Sequence, residues 1–453
     1  MNGIVSRRFS VVLSILIISM IIMLSGCGGG GGSTTTSGPA TDGPAGTITV
    51  SASNPQPIGA NAYGQNYWCW AQGYSNPIQG TESQAAALKV NVLRAGGYNN
   101  DAQTPNLWDT TQVDRYIAYC RTANAEPIFQ VSIINGTSTD AANWVNYCNK
   151  VKSYNVKYWI IGNEPDLYAT QNPGKPGYTV NNYISDFKAY AAAMKAVDPT
   201  IKVMGPELSW KYQIGNGSND WFTPFMEQCH DDVDIVTFHR YPFAPQNSTI
   251  TNAMSDAPNM RSLIRTLRTV VDTYAGTSKP LAITEANITY DGDPAKSTQS
   301  ASPNTYYASL WVADSMGVAL EEKLWTNAYW SMAEGWTISF LDSNKQPKPI
   351  YYGLYMYTNY FGTSLVRPTS VPTGLSVYAS RDTGNSKTIL MVINKTNQNL
   401  PETIQINDIT TPVSKQHVFP AYSITSIAIP DNGGAAEVWT YSQANSKPVL
   451  TAG

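Results

Sequence analysis

Two glutamates stand at the ends of short apolar runs. Tyr158-Trp159-Ile160-Ile161-Gly162 leads into Asn163-Glu164-Pro165-Asp166, and Leu281-Ala282-Ile283-Thr284 leads into Glu285-Ala286-Asn287. A protonated carboxyl group can help an oxygen leaving group depart, and an ionised one can attack the carbon it leaves. Such a pair, facing across a cavity, can carry out substitution in two steps without any cofactor. Other polar residues end runs of the same kind. Arg94 follows Asn91-Val92-Leu93, His239 and Tyr241 follow Asp234–Phe238, and Glu207 follows Ile201–Gly205 as the main rival carboxylate.

The elements that must position these residues alternate. Strand-like runs at Ile58–Asn66, Asn91–Ala95, Pro127–Ile133, Tyr158–Gly162, Ile201–Gly205, Asp234–His239, Leu281–Thr284 and Lys323–Tyr329 are separated by helical patterns. The helices are expected at Thr111–Ala123, Asp140–Ser153, Val180–Val197, Met254–Tyr274 and Tyr306–Met316. Eight such units predict a (β/α)8 TIM barrel, and no glycine-rich dinucleotide fingerprint follows the first strand. In that fold polar residues at strand C-termini line the active site. Glu164 and Glu285 close the fourth and seventh strands, on opposite sides of the ring, so their side chains can converge across its mouth. Two carboxyl groups roughly 5–5.5 Å apart are what retaining glycoside hydrolysis requires. Beyond Phe361-Gly362 the helical period gives way to alternation, predicting an antiparallel β-sandwich over residues 363–453 whose edge includes Gly46–Ala52.

On these residues the chain resembles the clan A glycoside hydrolases. Asn163-Glu164-Pro165 is similar to that clan's Asn-Glu-Pro signature, which implies Glu164 as acid/base and Asn163 as donor or acceptor to a sugar 2-hydroxyl. Thr284-Glu285 matches the nucleophile strand. The resemblance further implies Tyr241 donating to the nucleophile, Arg94 supporting its ionised form, His239 lining the −1 subsite and Trp330 as the aromatic floor beneath the sugar. Gly162-Asn163-Glu164-Pro165-Asp166-Leu167 looks like the glucuronidase and heparanase group, family 79. Arg94-Ala95-Gly96-Gly97 and Gly205-Pro206-Glu207 look like family 44 endoglucanases, and families 39 and 30 stay open. The expectation is a retaining β-glycosidase acting on a β-glucan-type or β-glucuronoside-type substrate, with no cofactor or metal. A transglycosylase using the same intermediate, or a carbohydrate-binding protein without turnover, are the alternatives. Trp68, Trp70, Trp210, Trp221 and Trp336 are further candidate sugar platforms, because a pyranose face packs well on an aromatic ring.

Composition agrees with a neutral partner. Only 13% of the residues are charged, against roughly a quarter in average soluble proteins, and the net charge of −3 offers no attraction for nucleic acid. Arg7 and Arg8 precede an apolar run, Val11 to Leu24, too short for a comfortable bilayer span. It ends in Leu24-Ser25-Gly26-Cys27, which resembles the bacterial lipoprotein processing box. That resemblance implies a signal peptide over residues 1–27, lipidation at Cys27 and export to a membrane surface. Residues 28–46 read as a flexible tether, residues 47–362 as the catalytic barrel, and a monomer is expected. Cys120 and Cys148 fall near the ends of consecutive predicted helices, and spacing leaves open whether they are bridged, because it does not fix their separation. Cys229-His230-Asp231-Asp232 reads as a polar turn before a strand rather than a metal site.

Overall fold

The computed structural model describes residues 41–68, 78–102, 109–333, 337–382 and 384–452. Cys27, the signal segment, most of the tether, Cys69, Trp70 and Trp336 lie outside them. Among the described residues no helix is long and apolar enough to cross a membrane.

Strand β1 (Gly46–Pro57) precedes a closed parallel barrel. The barrel strands are β2 (Tyr63–Tyr67), β3 (Val92–Ala95), β4 (Glu126–Val131), β5 (Tyr158–Ile161), β6 (Lys202–Leu208), β7 (Ile235–Arg240), β8 (Leu281–Ala286) and β9 (Asn327–Tyr329). Each pairs with its sequence neighbour, and β2 closes the ring on β9. Side chains alternate across each strand. Val92, Ile128, Tyr158, Ile160, Met204, Ile235 and Ala282 share a small interior cluster. Their neighbours Leu93, Phe129, Trp159, Ile161, Val203, Val236 and Ile283 pack outward in the large core. Stepping two residues onward from this inner set reaches Arg94, Gln130, Thr237 and Thr284, and two more beyond Thr237 reaches His239. The same alternation that fills the barrel therefore aims polar side chains at its C-terminal mouth.

The helices follow the expected spans with two breaks. The pattern Met254–Tyr274 divides into helices Ile250–Met254 and Ala257–Ala275. Pro258 sits in the first turn of the second, where its missing N–H costs nothing, while Asp256 turns its carboxylate to Arg240 and Trp311. The pattern Asp140–Ser153 begins as helix Ser138–Val145 and widens into a π-turn at Asn146–Val151.

The question left open for Cys120 and Cys148 is answered by the structure: both are free, buried thiols, as is Cys229. Spacing placed them near helix ends but carried no information on their separation. Each instead fills the outer core as a small apolar side chain, and burial pushes the Cys148 thiol up to about 12. Cys229 closes helix Phe222–Cys229 and His230 faces the carbonyls of Met226 and Glu227, so this cluster is a polar turn.

The second domain is one continuous sheet of nine strands. It adds β10 (Ser364–Ser370), β11 (Leu375–Asp382), β12 (Lys387–Asn394), β13 (Leu400–Asn407), β14 (Val413–Phe419), β15 (Ser423–Pro430), β16 (Glu437–Ser442) and β17 (Val449–Ala452). The order is β14-β13-β1-β10-β11-β12-β15-β16-β17. Residues from distant parts of that order, such as Phe419, Ile404, Leu390 and Val438, share one core, so the sheet folds over on itself to enclose it. Gly46–Ala52 joins this sheet as expected, as part of β1, so the barrel does not start at residue 47. The strand lies inside the sheet rather than at its edge, antiparallel to β10 and parallel to β13.

The two domains share a core. Tyr378, Met391, Ile393, Ile424 and Tyr441 pack into the barrel's outer cluster. The Tyr306 hydroxyl donates to the carbonyls of Tyr422 and Tyr441, and the Tyr378 hydroxyl donates to the Asp314 carboxylate at 2.6 Å. A Cβ on Gly317 would sit 2.3 Å from the Tyr378 ring, so glycine lets the helix Tyr306–Glu321 approach.

Candidate active site

Glu164 and Glu285 meet across the mouth. Together with His239 they place one donor atom each within 4.8 Å of one another. Glu164 follows β5 in the left-handed region at φ 49°, which lifts its side chain off the strand line. Asp101 anchors this turn: its carboxylate accepts from the backbone of Asn163 at 2.8 Å and from the Tyr168 hydroxyl. Asp166 ties the turn to the next loop, accepting from the backbone of Ser209, Trp210 and Lys211.

Glu285 lies where the pairing of β8 with both neighbours is irregular. Such an irregularity lets consecutive residues face one way. Thr284 and Glu285 accordingly both reach inward, to Glu207 and Arg94. One oxygen of Glu285 accepts from Arg94 at 2.7 Å and the other from the Tyr241 hydroxyl at 2.8 Å. A carboxylate held by two fixed donors suits a nucleophile whose orientation must not drift.

Arg94 is wholly buried. Its two terminal nitrogens donate to Glu285, Glu207, Asn163 and Asn66 at 2.7–2.9 Å. The Asn163 amide therefore presents its oxygen to Arg94, turning its NH2 end away from the guanidinium. His239 is also wholly buried, with Nδ1 3.0 Å from Glu164 and Nε2 3.0 Å from Glu207. His239, expected to line the subsite, thus bridges Glu164 and Glu207, with both ring nitrogens engaged. Burial raises the Glu164 carboxyl above the ordinary range, although the bond from His239 pulls the other way.

Trp330 and Trp68 form an apolar wall with Ile338, their ring centroids 6.0 Å apart, and Tyr241 packs against it. Gly97, at φ +105°, lies under Trp330: a Cβ there would meet the indole at 2.6 Å. Trp210 is 41% exposed on the loop that Asp166 holds, whereas Trp221 is buried in the large core.

Glu207, Gln130, Asn66 and Asp101 were not singled out as site residues by sequence reasoning, Glu207 appearing only as a rival catalyst. Strict alternation from Met204 would send Glu207 outward. A register shift in β6 and a left-handed φ of 57° turn it inward. There it is fully buried and bonded to Arg94, His239 and Thr284, with no side-chain atom left for a substrate. Gln130 and Asn66 sit on inner positions of β4 and β2, a signal that alternation carries once the strands are placed.

The family model for glycosyl hydrolases family 39 matches residues 145–370, a stretch containing both glutamates. An intracellular exo-α-(1→5)-L-arabinofuranosidase of Acetivibrio thermocellus is 24% identical over 182 residues, 35% of this chain and 33% of that protein. A probable α-L-arabinofuranosidase C of Aspergillus niger is 29% identical over 162 residues, 30% of each chain. The match thus spans about a third of the length of these relatives. Among solved structures, an α-L-arabinofuranosidase from Thermotoga maritima aligns with TM-score 0.66 and 16% identity, covering 89% of this chain and all of that one. A Paenibacillus polymyxa xyloglucanase of family 44 aligns with TM-score 0.66 and 14% identity, covering 90% of this chain and 94% of that one. The structural likenesses establish the fold, barrel and appended sheet together. With the family-model match and facing glutamates at the ends of the fourth and seventh barrel strands, the chain is a member of the clan A glycoside hydrolases.

Proposed function

We propose that the chain hydrolyses glycosidic bonds of an oligosaccharide or polysaccharide by double displacement with net retention. The observation carrying this reading is the approach of the two carboxylates, within 4.8 Å oxygen to oxygen. Retaining enzymes hold their carboxyl groups about 5–5.5 Å apart, whereas an inverting pair needs roughly 6.5–9.5 Å to admit water. Glu164, whose protonated form burial favours, gives its proton to the leaving oxygen as Glu285 attacks the anomeric carbon. The Glu164 carboxylate then takes a proton from water, which displaces Glu285 and releases the sugar. Transfer to a sugar hydroxyl in place of water uses the same steps.

A neutral glycosyl unit fits better than a glucuronosyl one. Among the described residues, the Arg94 guanidinium has both terminal nitrogens taken by Glu207, Glu285, Asn163 and Asn66, so neither is turned to a substrate carboxylate. The Trp68–Trp330 wall supplies the apolar face on which a sugar ring packs. A β-glucan-type substrate follows from the family resemblance. The relatives named as arabinofuranosidases support a second reading, an α-L-arabinofuranoside. We also propose that the enzyme is exported and anchored through a lipid on Cys27.

A panel of nitrophenyl glycosides (β-glucoside, β-xyloside, β-glucuronide, α-L-arabinofuranoside) with β-glucan and xyloglucan tests the function. Turnover of a neutral member, lost in Glu285→Gln, is expected. Turnover of the glucuronide alone, or of none, contradicts the reading. Cys27→Ser should release the protein from the membrane fraction, and unchanged fractionation refutes the anchor.

A further inference from the structure

Glu207 is a buried acid that the two-step mechanism does not use. It sits behind the catalytic pair, linked to Glu164 through one imidazole. Its Oε2 lies 3.0 Å from His239 Nε2 and accepts from Arg94 at 2.8 Å, and its Oε1 accepts from Thr284 at 2.6 Å. The backbone N–H of Glu164 donates to the Glu207 carbonyl at 3.0 Å, so the two residues are tied through main chain as well. We propose that Glu207 is a positioning residue that acts through His239 to fix which oxygen of Glu164 carries the catalytic proton.

The argument starts from donors and acceptors. A carboxylate bonded to Arg94 and Thr284 can only accept, so His239 Nε2 must carry a hydrogen. The remaining nitrogen, Nδ1, is 3.0 Å from Glu164 Oε1. If Nδ1 is also protonated, it donates to Oε1, and the acid proton of Glu164 is confined to Oε2. If Nδ1 is bare, that proton can sit on Oε1, bonded to the ring and turned away from a substrate.

The charges around the ring choose between these states. Glu207, Glu285 and Glu164 face His239 from β6, β8 and the turn after β5. Arg94 reaches it only through Glu207 and Glu285, and the neighbouring Arg240 is paired with Asp256. The Tyr212 hydroxyl donates to the His239 carbonyl, Tyr241 is bonded to Glu285, and Asp166 acts on Glu164 from the loop side. Burial disfavours a charged ring, but Glu285 and Glu207 outweigh it and raise His239 to about 10. Burial also opposes ionisation of Glu207, yet Arg94 and His239 hold it down to about 2. The imidazolium is thus the resting form at neutral pH, and Glu207 is one of the two anions that keep it so.

The proposal rests on Glu164 being the acid/base, and the test separates the two claims. In full-length Glu207→Gln, kcat/KM toward an unactivated glycoside should fall at least about tenfold. Toward a dinitrophenyl glycoside, which needs little acid assistance, it should fall less than about threefold. The alkaline limb of the kcat/KM profile for the unactivated glycoside should rise by about one pH unit, because a neutral His239 no longer stabilises the Glu164 anion. Equal losses on both substrates with an unmoved limb would show a merely structural role and overturn the proposal. Azide rescue of Glu164→Ala, measured alongside, reports the acid/base assignment independently.

A second measurement uses the unmutated protein and does not depend on a variant folding. The chain has 3 histidines, so their ring 15N signals can be resolved and assigned by substitution. His239 should show both nitrogens protonated well above pH 7. A neutral ring with hydrogen on Nδ1, or titration at an ordinary histidine value, would overturn the proposal.

Discussion

The Arg94 guanidinium donates to Glu285 at 2.7 Å from a position with no solvent exposure. That bond fixes the Glu285 carboxylate and simultaneously ties it to Glu207, which accepts from the other terminal nitrogen. One cation thus serves two buried or nearly buried carboxylates, so its removal should be costly in stability as well as in rate. Arg94→Met leaves both anions without their counter-ion, and unfolding free energy should drop by about 3–5 kcal/mol. Urea denaturation of the full chain measures this; a loss under about 1 kcal/mol would show the pair to be uncoupled from folding.

Tyr241→Phe removes one hydrogen bond to the Glu285 carboxylate and little volume. A bond to a charged acceptor contributes about 1.5–3 kcal/mol, so kcat/KM should fall roughly tenfold to a hundredfold. Thermal stability should change little. An unchanged kcat/KM would remove Tyr241 from the site.

Trp330→Ala should act on substrate binding more than on chemistry. The indole forms the wall beside Tyr241 and covers Gly97. Loss of the platform should raise KM about tenfold or more, with the larger effect on sugars than on the aryl group of an artificial substrate. If KM is unmoved and only kcat falls, Trp330 is not a floor for the sugar.

Two groups of the site, Glu207 and His239, titrate far from their ordinary values and give the fold a dependence on pH. Glu207 titrates at about 2 in the fold against an ordinary 4.5, against the pull of burial. Its contribution is complete above about 4.5 and is lost as pH falls toward 2. His239 titrates at about 10 against 6.5, its burial outweighed by Glu285 and Glu207. Its contribution is complete below 6.5 and is lost as pH rises through 10. Denaturation midpoints of the wild type should therefore be highest between about 4.5 and 6.5 and decline toward pH 10. In His239→Gln the alkaline decline should be shallower, and an identical decline would contradict this assignment.

Much of the barrel was legible because each strand is a short apolar run whose alternation also predicts which side chains turn inward. Arg94 and His239 fall on inner positions by that rule, and Glu164 and Glu285 lie just beyond the last interior residues. Glu207 was not legible as part of the same network. Its orientation depends on a register shift and a left-handed residue that reverse the alternation locally. The interior position of β1 within the sheet, as against its membership, was hidden for a different reason. Its partners β10 and β13 lie at the far end of the chain, and no local pattern encodes a pairing at that distance. The free thiols of Cys120 and Cys148 likewise depend on three-dimensional separation, which spacing does not carry.

Acid catalysis has its own signature in pH. Burial holds the Glu164 carboxyl above the ordinary range, so its protonated form persists to higher pH than that of a free glutamate. The kcat/KM for an unactivated glycoside should decline on the alkaline side as Glu164 loses its proton. In Glu164→Ala that limb should vanish, activity should fall about 10²–10⁴-fold, and azide should restore part of it on an activated substrate. A Glu164→Ala enzyme with wild-type rate and pH profile would exclude it as the acid.

The central claim is that Glu164 and Glu285 work as a retaining pair, and the first product formed tests it most directly. Proton NMR of the anomeric signal during early turnover of a glycoside from the panel, before mutarotation, reports the configuration at C1. The account predicts a sugar with the configuration of the substrate; an initially inverted anomer would contradict it.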